Sequence, residues 1–254
     1  MKRSHWSIPY VVFLTIFVVL PLVLVLVYAF QDGSGHFTLS NITKFFSDSD
    51  ALSTFAVSIE VAIENTLICI LLGYPAAWIL SNKELNRSAV TIVLFILPMW
   101  INALMRTLAT AELFNGFGLT LGKGTLLFGM VYDYLPFMIY PIYNVLSKMD
   151  KSYAEAAQDL GATPWKVFWK VTVPLAMPGV SSGILMVFMP TVSTFAISEF
   201  LTNNKITLFG TIIQENINSS MWNYGAALAF IMLIIIGIST LFTDERKEAE
   251  GALI

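Results

Sequence analysis

Six nearly uncharged apolar runs, each close to the ~20 residues a helix needs to cross a bilayer core of ~30 Å, constrain this chain more than any other feature. They fall near residues 8–30, 57–81, 88–111, 125–147, 174–198 and 223–243. Lipid offers no water to a bare backbone N–H or C=O, so a spanning segment must be a helix or a strand of a closed barrel. The runs are continuous and do not alternate with period two, which argues against the barrel. The expected fold is an all-α integral membrane protein with six transmembrane helices, in one domain over residues 1–254. Composition agrees, since 56% hydrophobic and 12% charged residues and a mean hydropathy of +0.73 do not suit a soluble domain of this length.

Met1 to His5 followed by uncharged Ile8 to Phe30 has the outline of a secretory signal. The run exceeds the apolar core of a signal and no small-x-small cleavage site follows, so a retained first span is expected. Orientation follows from the basic residues. With the amino terminus inside, the cytoplasmic segments hold Lys2, Arg3, Lys83, Arg87, Lys148, Lys151, Lys166, Lys170, Arg246 and Lys247, while the outer loops hold Lys44, Lys123 and Lys205. That asymmetry places both termini in the cytoplasm. The outer segment 31–56, mildly acidic through Asp32, Asp48 and Asp50, is expected to carry short structure over the outer mouth.

Several function classes are excluded or left without support. A net charge of −3 without a basic patch interleaved with aromatics gives no footprint for nucleic acid. Cys69 has no second cysteine to pair with, and His5 and His36 fall on opposite sides, so no cofactor or metal site is expected. Gly122-Lys123-Gly124-Thr125 lacks the hydroxyl residue directly after lysine and the upstream glycine of a phosphate-binding loop. No Ser-His-Asp, HExxH or paired-carboxylate arrangement appears, so the chain is not expected to be an enzyme.

Between the fourth and fifth spans, residues 148–173 form the longest polar, helix-favouring stretch. Ser152 with Glu155 has capping-box spacing, and Ala154, Ala156, Ala157 and Leu160 continue a short helix. Gly161 stands where a left-handed residue would end it. Thr163-Pro164 then has the N-cap and first-position chemistry of a second helix carrying Trp165, Phe168 and Trp169. The result is a cytoplasmic helix-turn-helix shaped to be gripped by a partner.

Charged residues inside spans cost on the order of 2.5–3.5 kcal/mol each at the bilayer centre, so each requires a reason. Glu60 and Glu64 lie one turn apart in the second span, Arg106 in the third, Asp133 in the fourth and Glu199 at the end of the fifth. One reading is an acidic lining for a cationic solute, with Glu199 and Asp133 the leading contacts and Trp100 an aromatic face. The other pairs Arg106 with one acid and lets the rest reach the interface. Pro75, Pro98, Pro136, Pro141, Pro178 and Pro190 interrupt the spans and, taken as a set, suggest a pathway.

Glu155-Ala156-Ala157, Gly161 and Val171-Thr172-Val173-Pro174 together resemble the "EAA" loop of membrane-spanning permease subunits of bacterial ABC importers. The family pattern has isoleucine and leucine at Val171 and Val173, changes that keep the apolar character. Gly73-Tyr74-Pro75-Ala76-Ala77-Trp78, Pro98-Met99-Trp100-Ile101-Asn102 with Arg106, and Leu135-Pro136-Phe137-Met138 are similar to segments of the polyamine (spermidine/putrescine) branch, and of its first permease in particular. The resemblance implies a bacterial inner-membrane permease whose loop couples to an ATPase through Glu155, Ala156, Ala157, Gly161 and Pro174. It implies two cytoplasmic ATP-binding subunits, a second permease that is a different chain, and an external solute-binding protein. Transport would proceed by alternating access driven by the separate ATPase. Other branches of the family carry iron, sulfate or other anions, for which Arg106 would be a contact. A secondary transporter would require inverted repeats, and none is evident.

Overall fold

The computed structural model describes residues 8–82, 85–86 and 90–251, with backbone alone for 241–251. Lys2, Arg3, His5, Lys83 and Arg87 lie outside the described residues, as do the side chains of Arg246 and Lys247. Among the described residues, the regular elements are helices, with one isolated antiparallel bridge between Gln31 and Phe37. In chain order they are α1 (Ile8–Ala29), α2 (Ser40–Ser47), α3 (Ser49–Ser81), α4 (Val90–Trp100), α5 (Ala103–Gly116), α6 (Lys123–Lys148), α7 (Ser152–Asp159), α8 (Pro164–Ser193), α9 (Ala196–Thr202), α10 (Phe209–Asn218) and α11 (Trp222–Gly251).

Five of these, α1, α3, α6, α8 and the Trp222–Thr240 part of α11, are long and apolar enough to cross a membrane. A sixth crossing requires α4 and α5 together, and these meet at 91°. The third expected span, 88–111, is therefore broken. Pro98 lies in the 3-10 turn that ends α4, and Ile101 and Asn102 are not helical. The Asn102 side chain then accepts from the amides of Leu104 and Met105, which starts α5 in a new direction.

The fifth expected span also differs. Instead of beginning at Pro174, the helix runs from Pro164 to Ser193 and ends where Thr194 turns extended. Nothing between Val167 and Val173 stops it. Pro174 is accommodated by a π turn over Phe168–Thr172, whose wider ring relieves the clash of the pyrrolidine with the preceding turn. The same device precedes Pro21, where Thr15–Val19 forms a π turn in α1. Pro75, Pro136, Pro141, Pro178 and Pro190 are likewise inside helices that continue through them.

At the opposite end from α7, the segment expected to cover the mouth contains α2 and the first turns of α3. Asp48 caps α3 through the amides of Asp50 and Ala51. The side chains of Asn41 and Asn223 both donate to the Gln31 carbonyl, tying this segment to α11.

The core is α6 held between α3 and α8. Its apolar filling includes Cys69 and Ala77 of α3, Met138 and Ile142 of α6, and Ala176 and Val187 of α8. Asn65 of α3 donates to Thr191 of α8 at 2.8 Å, a buried polar tie between the two outer members. Approach is closest at glycine. A Cβ on Gly73 would stand 2.8 Å from Met138 Cγ, and one on Gly179 would stand 2.9 Å from both Ile142 Cα and the Pro141 carbonyl oxygen. Gly179→Val must displace backbone and should cost about 1–3 kcal/mol. Thermal denaturation in detergent should show a lowered midpoint, with Gly124→Ala, whose Cβ meets open space, unchanged. An unshifted midpoint for Gly179→Val would show that the close approach is dispensable.

Candidate functional site

The loop between α6 and α8 is built from local sequence. Asp150 accepts from the Ser152 amide at 2.9 Å and so initiates α7. That contact holds the Asp150 carboxyl below the usual carboxylate range. The Ser152–Glu155 capping box expected from the sequence does not form, since α7 has Lys151 at its N-cap position with no side-chain cap. Asp150, two residues upstream of Ser152, takes that role as an Asx turn. Gly161 has φ +82°, and its amide donates to Gln158 O while Ala162 N donates to Ala157 O, the paired bonds of a Schellman ending. Thr163 then caps α8 through the Lys166 amide, with Pro164 first in the helix.

α7 contains no buried residue. Leu160 is 90% exposed and Trp165 71% exposed, so the turn presents two large apolar side chains outward. Glu155 and Ala156 are exposed, and Ala157 is half-buried. A cavity of about 660 Å³ lies behind the loop, between α7 and the ends of α3, α6 and α8, with Glu155 and Phe168 in its lining. Pro174 is two residues beyond the π turn, on the exposed side of α8.

The charges inside the bundle sort into pairs. Arg106 of α5 and Asp133 of α6 approach to 3.0 Å, with side chains only 6% and 2% exposed. Thr107 donates to the second Asp133 oxygen at 3.3 Å, and the guanidinium lies over the Tyr132 ring at 5.5 Å. The Arg–Asp approach is an ion pair without good hydrogen-bond alignment, and Arg106 Nε and Nη1 are buried without partners among the described residues. Asp133 thus has its own cation, and the pairing of Arg106 with an acid is the one realised. Lys123 at the start of α6 donates to Glu60 and Glu64 at 2.6 and 2.9 Å. Their sequence spacing showed the two glutamates on one face of α3, but nothing local signalled that Lys123 would arrive between them.

Glu199 is in a different setting. It lines a polar cavity of about 270 Å³ between α9, the following turn and α10, at the end of the bundle away from α7. Glu215, Gln214, Asn204, Asn218 and Thr211 are in the same wall, and no basic residue is. Lys205, close in sequence, is directed to the Leu121 carbonyl at 3.5 Å. Arg106, Asp133 and Trp100 do not line this cavity, and Trp100 is 86% exposed on the turn that ends α4. Sequence reasoning passed over Glu215. Its acidity within a short amphipathic helix reads as an ordinary solvated face, and only the return of α10 toward α9 brings it into the cavity that Glu199 lines.

A family described as "Binding-protein-dependent transport system inner membrane component" matches residues 4–244 of this chain. The chain belongs to that family. Among its relatives is the Escherichia coli (strain K12) spermidine/putrescine transport system permease protein PotB, 34% identical, with 81% of each chain covered. The Haemophilus influenzae protein of the same name is 31% identical, over 89% of this chain and 87% of its own. Among solved structures, a bacterial ABC transporter that imports the acidic polysaccharide alginate superposes with TM-score 0.70 at 13% identity, covering 97% of this chain and 94% of that one. The MetNI methionine ABC transporter gives 0.63 at 14% identity, covering 78% and 95%. These two share the fold. This inner membrane component is therefore a multi-pass helical membrane protein with the architecture of ABC importer permeases.

Within this permease the Arg106–Asp133 pair joins α5 to α6 below the 91° bend. Removing one member of a buried pair strands the other, a loss of about 3–5 kcal/mol, whereas replacing both with apolar residues is close to neutral. Arg106→Met should therefore lower thermal stability in detergent strongly, and Arg106→Met with Asp133→Leu should recover most of the loss. Equal loss in the single and double variants would show that the pair is not the source.

Proposed function

We propose that this permease carries a polyamine of the spermidine/putrescine class inward, driven by ATP hydrolysis on separate subunits, and that the Glu199–Glu215 cavity receives an ammonium group of the solute. The carrying observation is charge without compensation. Of the in-span carboxylates singled out from the sequence, Asp133 has Arg106, and Glu60 and Glu64 share Lys123. Glu199 has no ion-pair partner among the described residues and stands in a wall with a second carboxylate and several side-chain amides. Such acceptors replace the water that an ammonium group sheds on leaving solution. The names of the curated relatives agree with a small organic cation. The neutralised Arg106 argues against an anion at that position.

The partners in this reading are two ATP-binding subunits gripping the α7–α8 turn, a second permease of different sequence, and an external solute-binding protein delivering to the α9–α10 end. The excess of basic residues at the α7 end supports a cytoplasmic position for that end and for both termini. Glu155, freed from a capping role by Asp150, is left to meet a basic residue of the ATPase. Gly161 aims α8, and Pro174 with its π turn passes the movement of the turn into the fifth span.

A charge-assisted hydrogen bond in a partly dehydrated site contributes about 1–3 kcal/mol. Glu199→Gln and Glu215→Gln should each lower uptake of labelled spermidine several-fold in proteoliposomes holding the whole complex, with ATPase association intact. Wild-type uptake in the double variant would place cation handling elsewhere. Glu155→Gln should lose ATPase association as fully as Glu155→Ala, because only the charge matters there; a wild-type glutamine variant would remove the ion pair from this reading. Gly161→Val, strained by about 1–2 kcal/mol in the left-handed region, should impair assembly or uncouple hydrolysis from uptake.

A further inference from the structure

The α7–α8 turn is continuous with α8, so a partner that moves it acts directly on that one helix. A second route is present at Phe168, the first residue of the π turn. Its ring meets Tyr74 and Trp78 of α3 edge to face, with centroids 5.9 Å away in each case. Tyr74 and Trp78 are four residues apart and share one face of α3. α3 is weakest at this level. Pro75 removes one amide from its hydrogen-bond ladder, and Gly73 lets α3 rest on Met138 of α6 at a distance no side chain would permit. The Tyr74 hydroxyl is buried and has no hydrogen-bond partner among the described residues. Buried polar groups are almost always paired, so an arrangement that gave this hydroxyl a partner would be favoured over the one seen. A ring contact, a backbone hydrogen bond missing at Pro75, a close approach at Gly73 and the Tyr74 hydroxyl thus coincide in one short stretch of α3.

We propose that Phe168 is the positioning residue that passes movement of the turn to α3, swinging its end beyond Pro75 about the Gly73–Met138 contact, so that α3 and α8 move as a pair. This rests on the reading that an ATPase grips the α7–α8 turn. The ring is needed as a bearing surface, since it contributes no hydrogen bond and no charge.

The test uses the whole complex in proteoliposomes and reads three quantities: copurification of the ATP-hydrolysing subunit, solute taken up per ATP hydrolysed, and the distance between spin labels on the loop ends of α3 and α8 with and without ATP. Phe168→Leu should keep copurification and ATP hydrolysis, lower uptake per ATP by tenfold or more, and leave the α3 label in place while the α8 label moves. Tyr74→Leu should reproduce the loss from the α3 side, and Phe168→Tyr, which keeps the ring, should behave as wild type. Wild-type uptake per ATP in Phe168→Leu overturns the proposal, as does loss of copurification in that variant, which would make Phe168 a docking residue. Should the unaltered complex fail to copurify with an ATP-hydrolysing subunit, the reading of the turn itself falls.

Discussion

Everything in this molecule hangs on the close approach of α6 to α3 and α8. In lipid the surroundings of a helix are as apolar as its own side chains, so association depends on van der Waals fit and on a few buried polar ties rather than on escape from water. Glycine supplies the fit at Gly73, Gly179 and Gly183, where a Cβ would run into Met138 or the backbone around Ile142. The Asn65–Thr191 hydrogen bond supplies a tie. The remaining helices dress this trio. α1 has no more than a marginal buried surface and rests on α11, while α9 and α10 fold over the far end.

Two solutions to charge in an apolar setting stand side by side. Where a charge serves architecture it is neutralised by a neighbour, as Asp133 by Arg106 and the α3 glutamates by Lys123. At the α9–α10 end, Glu199 and Glu215 line a polar cavity with no basic residue in its wall. The contrast is what supports the proposal that this cavity receives a cation.

The prolines behave in a way their number alone does not reveal. As a set they suggest a broken, cavity-lined route, yet most lie within helices that continue. A π turn absorbs the strain before Pro21 and before Pro174. Among the described residues the one sharply bent helix pair follows Pro98, where an asparagine two residues past the turn offers its side chain to start a helix in a new direction. Whether a proline bends, bulges or breaks a span is settled by the residues after it and by what the neighbouring helices leave room for.

Hydropathy by itself determined the helical class and the membrane setting, because backbone polar groups in lipid leave almost no other choice. Local chemistry determined the ends of the α7–α8 turn at Gly161, Thr163 and Pro164, since caps involve residues within a few positions of one another. The spacing of Glu155-Ala156-Ala157, Gly161 and Pro174 also carried the family. What only the tertiary structure decided is who meets whom across the chain: Lys123 between Glu60 and Glu64, Arg106 on Asp133, Glu215 in one cavity wall with Glu199, and Phe168 against Tyr74 and Trp78. Those pairings join residues at least 16 positions apart and are not a property any local pattern holds: they depend on the rotation and tilt of packed helices, and a shift of one residue in register would turn each of these side chains to a different face.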